Sequence, residues 1–225
     1  MEHEAQIARR EFLGSALVGG FYIASWTKSA GAQAQKSPAA ASGPEKWMNE
    51  PHKWRREGNS LICTADPKTD FWRKTYYGYI TDNGHFFYRS VAGDFATIVK
   101  VTGKYHDLYD QAGLMVRLDK ENWMKCGVEF VDGEQNMSVV ITRDFSDWST
   151  FRLPEGTGPV WMRVVRKKEA LDIFYSLDAK NFAEIRTGYL VPSESVDVGP
   201  AFAAPEGKGF EVRFDDWVVE KNEAK

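Results

Sequence analysis

From Trp123 the chain alternates. Trp123, Lys125, Gly127 and Glu129 fall on one side of an extended strand, and Met124, Cys126, Val128 and Phe130 on the other. The second set is a plain core face. The first combines an aromatic ring, a cation, a residue without a side chain and an anion. Comparable apolar or alternating runs recur beyond Trp47, at 60–65, 85–91, 95–103, 112–118, 137–143, 160–167, 170–177 and 210–220. Polar turns such as "DKEN", "VDGEQN", "PEGTGP" and "DAKN" separate them, with almost no helical period. The pattern predicts an all-β chain whose strands form two packed antiparallel sheets.

The first 34 residues are different material. Arg9 and Arg10 stand together, Phe12 and Leu13 follow, and an apolar run extends to about Ala24. This is similar to a twin-arginine export signal, although Ala8 stands where Ser or Thr is commoner. The apolar run, about 14 residues, is shorter than the ~20 that an ordinary membrane span needs. Lys28 and the small-residue cleavage sites "AGA" (30–32) and "AQA" (32–34) complete the pattern. The expected organisation is a signal peptide at 1–34, a flexible leader at 35–46, one β-sandwich domain at 47–220 and a tail at 221–225. An exported protein, periplasmic or extracellular, is implied. Its partners would include the twin-arginine export machinery, and no stable membrane span would remain after cleavage.

Composition adds limits. The chain has 225 residues, 43% hydrophobic and 14% aromatic, enough for one sizeable core. With 29 basic and 32 acidic residues its formal charge is −3, and no long basic stretch marks a nucleic-acid partner. Cys63 and Cys126 each lie in a strand pattern among apolar neighbours. An oxidising exterior permits a bridge between them, and two separate buried thiols fit equally. Neither the cysteines nor the four histidines have metal-site spacing. No cofactor is expected, and the two-acid loops "DKEN", "DGE" and "DFSD" each hold too few oxygens to make calcium persuasive.

Several longer segments occur in a characteristic order: "TDFWRKTYYGYITDNGHFF", "GDF", "DQAGLMVRLDKENWMKCGVEFVDG", "SVVITRDFSDWS" and "VDVGPAFAAPEGKGFEVRFDDW". Together they resemble the concanavalin-A-like domain family of unknown function that takes its label from a "regulation of enolase" protein. The resemblance covers about residues 47–220. It implies a concanavalin A-like or laminin-G-like jelly-roll sandwich of two antiparallel sheets, and no settled activity.

Three functional classes remain. A glycoside hydrolase needs two carboxyl groups flanking the scissile bond. Asp119 and Glu121 have suitable spacing but fall in a turn, and Glu211 and Asp215 have Arg213 between them. Glu129 has no second acid in its own strand, which leaves a partner such as Asp147 open. A carbohydrate-binding face needs flat rings and polar groups, and Trp123, Lys125 and Glu129 supply both, with Gly127 leaving a gap. Arg117 on the preceding strand, Thr142 on the next, and Asp147 and Trp148 after it are candidates for the same concave-sheet groove. A one-residue slip in register would remove Arg117 from that face. The bland alternative is a solvated, ion-paired surface worth under about 1 kcal/mol. A protein-binding or regulatory surface is the remaining class, since Trp and Arg are common in interface hot spots.

Replacing Arg9 and Arg10 together by lysine should hold the precursor inside the cell, as followed by cell fractionation. N-terminal sequencing of normal mature protein should begin at Gln33 or Gln35. Unimpaired export of the double-lysine variant would exclude the twin-arginine route.

Overall fold

Sixteen strands and no helix run through residues 43–221, the part of the chain that the computed structural model describes. The expected export signal, residues 1–34, lies outside the described residues. One sheet contains, in spatial order, β1 (Lys46–Met48), β6 (His85–Ala92), β15 (Ser195–Ala203), β8 (Gln111–Arg117), β9 (Asn122–Val131), β10 (Glu134–Arg143) and β11 (Phe145–Arg152). The other contains β14 (Ala183–Tyr189), β13 (Ala170–Ser176), β12 (Val160–Lys167), β7 (Phe95–Gly103), β16 (Glu211–Lys221), β3 (Ser60–Thr64) and β2 (Lys53–Glu57). A short hairpin, β4 (Phe71–Arg73) and β5 (Ile80–Asp82), belongs to neither.

Alternation builds the core as expected along β9. Met124, Cys126 and Val128 join Leu114, Val116, Val139 and Ile141 of their own sheet. Val99, Val164 and Phe214 meet them from the other sheet. Each such side chain contributes about 1.5–3 kcal/mol by leaving water. Phe130, expected in this core, is only half-buried. The β8–β9 ladder ends at Gln111–Glu129. Beyond it the Phe130 backbone bonds to Tyr109 and Asp110 in a loop (2.7 and 2.9 Å), so β8 no longer flanks this residue.

Cys63 and Cys126 stand in opposite sheets as separate buried thiols. Burial pushes both up to about 12, so they are inert at neutral pH. β15, a central strand, is harder to see in the sequence because it contains Gly199 and Pro200. Pro200 pairs with Leu114 of β8, while the ladder to β6 steps from Val198 to Ala201. A proline without an N–H fits a central strand only at such an interruption.

A second, smaller core lies on the outer face of the first sheet. Met115, Trp123, Val140, Phe86 and Ala201 are buried there with Phe71 of the hairpin. Trp123, expected on an open ligand face, is therefore only 1% exposed. Its face is the one that alternation predicts, but that face is covered.

Trp123→Ala should cost about 3–5 kcal/mol and Met124→Ala about 2–5 kcal/mol in guanidinium unfolding. Phe130→Ala should cost clearly less than either. A loss for Phe130→Ala equal to that for Met124→Ala would contradict this assignment of the β9 faces.

Candidate functional site

The β4–β5 hairpin is fastened across the outer face of β8, β9 and β10. The Phe71 ring packs against Trp123, with centroids 6.2 Å apart. Arg117 donates two parallel bonds to the Asp82 carboxylate at 2.8 and 2.7 Å, the strong bidentate form of this pair. The Arg73 N–H donates to Ser146 Oγ (2.9 Å), which is itself 2.9 Å from the buried Thr142 hydroxyl. Arg73 and Lys74 both bind the Asp144 carboxylate, at 2.8 and 2.6 Å.

Beside the hairpin a narrow cleft remains. Its walls are Trp72, Tyr77 and Tyr79 from the hairpin and its loop, Tyr109 from the β7–β8 loop and Trp148 from β11. Lys125, Glu129, Gln111 and Asp70 line its polar floor. The cavity proper is about 30 Å³, room for about two waters or one small polar group. The Tyr77 and Tyr79 rings stack at 5.5 Å, and Tyr109 meets Trp148 edge-on at 6.3 Å. The Tyr77 and Tyr109 hydroxyls are 3.5 Å apart across the opening. Tyr76 and Tyr109 hold left-handed backbone, with φ of 62° and 66°. Such conformations are costly for bulky residues and concentrate at ligand clamps.

The two charges that share the β9 face are not partners. Lys125 Nζ donates to the Phe71 carbonyl at 2.9 Å, to Gln111 Oε1, and more weakly to Asp70 Oδ1 at 3.5 Å. Gln111 in turn donates to Asp70 Oδ1 and the Tyr109 carbonyl (3.3 and 3.2 Å). Glu129 is buried, and its Oε2 accepts the Trp148 indole N–H at 2.9 Å. Burial raises the Glu129 carboxyl above its ordinary range, against the opposing Lys125 charge and hydrogen bonds from Ser138 and Trp148. The Tyr109 phenol is pushed up to about 12, first by its bond with Tyr77 and then by burial.

The residues expected from the sequence thus divide. Lys125, Glu129 and Trp148 meet in the cleft. Arg117, Trp123 and Thr142 lie buried on the same face, beneath or beside the hairpin. The register left open for Arg117 is Arg117 opposite Trp123. Asp147 does not join the site. It pairs with the core-facing Ile141, and its carboxylate binds Arg186 of the other sheet at 2.9 Å. It is therefore not an acid partner for Glu129. Gly127 lines a small void of about 20 Å³ with Gly113, Lys125 and Glu129, and a Cβ there would lie 2.1 Å from the Ala112 carbonyl oxygen, so glycine also permits close approach of β8. Asp70, Trp72, Tyr77, Tyr79, Tyr109 and Gln111 were not identified from the sequence. The signal for three of them was the "WRKTYYGY" stretch, aromatic without a strand period. Elsewhere, His106, Asp107 and Asp110 bring ligand atoms within 4.8 Å of one another. Asp110 Oδ2 already accepts the His106 and Asp107 N–H groups at 3.1 and 3.0 Å, as a turn cap does.

The raised Glu129 carboxyl has a consequence for stability. The folded state holds this proton more tightly than the unfolded chain, whose ordinary value is 4.5. The contribution is therefore complete below 4.5 and is lost as pH rises through the folded-state value. Subtracting the Glu129→Gln unfolding free energy from that of wild type, measured from pH 4 to 7, should give a difference that falls with rising pH. A difference independent of pH would show that Glu129 titrates normally.

The family model described as "Protein of unknown function (DUF1349)" matches residues 47–222. "Regulation of enolase protein 1" of Saccharomyces cerevisiae is 39% identical over 171 residues, 76% of this chain and 86% of the relative. The crystal structure of a functionally unknown protein from Saccharomyces cerevisiae superposes with a TM-score of 0.77 at 37% identity, covering 80% of this chain and 97% of that one. Two more distant structures share the fold. The GH43 BlXynB protein of Bacillus licheniformis gives a TM-score of 0.60 at 16% identity, covering 77% of this chain and 36% of that one. The carbohydrate binding module CBM66 of Bacillus subtilis gives 0.52 at 11%, covering 78% and 95%. The chain belongs to the DUF1349 family of proteins of unknown function.

Proposed function

We propose that this protein is an exported carbohydrate-binding module, carried out of the cell by the twin-arginine machinery, and that its site is the cleft between the hairpin loop, Tyr109 and Trp148. The observation that carries this reading is the placing of partly exposed rings around a polar floor. Tyr77, Tyr79 and Trp148 are 48%, 47% and 38% exposed, although each is large and aromatic. Rings of this kind offer flat surface to the C–H side of a sugar, and their polar ends offer hydrogen bonds. Sharing a fold with a carbohydrate binding module and a GH43 protein is consistent with this, but fold alone does not assign a ligand.

Lys125 and Arg117 give the cleft no preference for an acidic sugar, since Asp70 and Asp82 already hold those cations. A regulatory or protein-interaction module is the second reading. It is favoured by rings outside the cleft, with Tyr76 93%, Phe145 58% and Phe151 40% exposed.

Calorimetric titration with plant and bacterial oligosaccharides should detect binding, with dissociation constants on the order of micromolar to millimolar for so small a contact. Tyr77→Ala should weaken it tenfold or more while changing unfolding stability by about 0.5 kcal/mol or less. Absence of any binding by wild type at millimolar ligand would overturn the carbohydrate reading and favour the interaction module.

A further inference from the structure

We infer that the cleft is built to receive a cation, so that its ligand carries an ammonium group; on the carbohydrate reading, which this inference deepens, the ligand is an amino sugar. The argument begins with the charges. Asp70, Lys125 and Glu129 line the cleft. A lysine has three protons to donate, and Lys125 turns its three towards the Phe71 carbonyl, Gln111 and Asp70. It has none left for a ligand, and Asp70 offsets its charge. Among the described residues Glu129 has no ion pair, and the Lys125 charge reaches it only from a longer range. Its Oε2 accepts the Trp148 N–H, and the second hydrogen bond comes from Ser138, so both of these donors are neutral.

A buried carboxylate without an ionic partner is costly, and a bound cation supplies that partner. Burial holds the Glu129 carboxyl above its ordinary range, so a nearby positive charge would favour its ionised form. The walls point the same way. The faces of aromatic rings attract cations, and cages of aromatic residues are a recurrent means of holding ammonium groups. Tyr77, Tyr79, Tyr109 and Trp148 stand around the carboxylate. An anionic ligand would instead face Glu129 and the negative faces of these rings. A neutral hydroxyl offers Glu129 one ordinary hydrogen bond, whereas an ammonium offers a charge-assisted bond about twice as strong.

Size fixes the arrangement. A cavity of about 30 Å³ admits an ammonium head but not a pyranose ring. The amine therefore enters, and the ring remains at the mouth beside Tyr77 and Trp148.

The test is calorimetry on the mature chain near pH 7. Glucosamine oligomers are compared with N-acetylglucosamine and glucose oligomers of equal length, and ethanolamine serves as a cation without a sugar. The amine form should bind at least tenfold more tightly than the acetylated or neutral forms. Glu129→Gln should abolish that preference while remaining folded by circular dichroism, because an amide oxygen can still accept the Trp148 N–H. The wild-type comparison stands even if that variant unfolds. Equal binding of amine and neutral sugars overturns the cation inference and leaves the carbohydrate reading intact. Binding of ethanolamine without any sugar upholds the cation site and overturns the carbohydrate reading. Failure of every probe overturns both.

Discussion

The structure turns on covering the outer face of β8, β9 and β10. That face mixes apolar Met115, Trp123 and Val140 with charged Arg117, Lys125 and Glu129. Left open, it would expose large apolar groups to water. Closed by an apolar lid, it would strand three charges in a poorly solvated site. The β4–β5 hairpin satisfies both demands. Phe71 covers Trp123, Asp82 meets Arg117, and Asp70 with the Phe71 carbonyl meets Lys125. The desolvation of each cation is thus offset by an acceptor that arrives with the lid. The hairpin's two strands have only three residues each, too short to hold by pairing alone. Their attachments to the sheet keep them in place.

Glu129 lies where this compensation stops. The hairpin ends before reaching it, and its bonds come from neutral groups on strands β10 and β11. The cleft is therefore more than a gap at the edge of a lid. It is the part of a charged face for which the lid brings no countercharge. Trp148 belongs to an edge strand, and its indole fixes the Glu129 carboxylate while leaving much of the ring accessible.

Alternation along the sequence assigned faces well and coverage poorly. Met124, Cys126 and Val128 were legible as core because every second residue was apolar. Lys125 and Glu129 were correctly grouped for the same reason. Trp123 was misjudged because its neighbours are charged, and nothing local shows that Phe71 arrives to cover it or that Asp70 arrives to meet Lys125. Thr142 was hidden in the same way by Arg73 and Ser146. Asp147 and Trp148 were adjacent in sequence and were grouped together, yet adjacency in a strand sends side chains to opposite faces. β15 escaped notice because Gly199 and Pro200 break its pattern. The walls of the cleft were least visible of all, since Tyr77, Tyr79 and Tyr109 come from loops, where no period exists to be read.

The way those loops are held bears on how a ligand larger than the cavity can be accommodated. The turn from Lys74 to Tyr79 is closed by its own backbone bonds, Lys74 N–H to the Tyr79 carbonyl and Gly78 N–H to the Lys74 carbonyl, at 2.8 and 2.7 Å. Its attachments to the sheet lie at its base, at Arg73, Lys74 and Asp82. The tip carries exposed Tyr76 and Tyr77 and a left-handed residue that relaxation would relieve. Opening at the tip exposes little buried apolar surface, whereas lifting the base would uncover Trp123 and unpair Arg117. Segments with few buried contacts open at low free energy, and those with many open only near global unfolding. The Tyr77–Tyr79 wall is thus free to adjust, while Lys125 and Glu129 on the sheet stay fixed. On the proposed binding role, adjustable rings over a rigid charged floor would place specificity in the floor, where Glu129 would set the sign of the charge that is accepted.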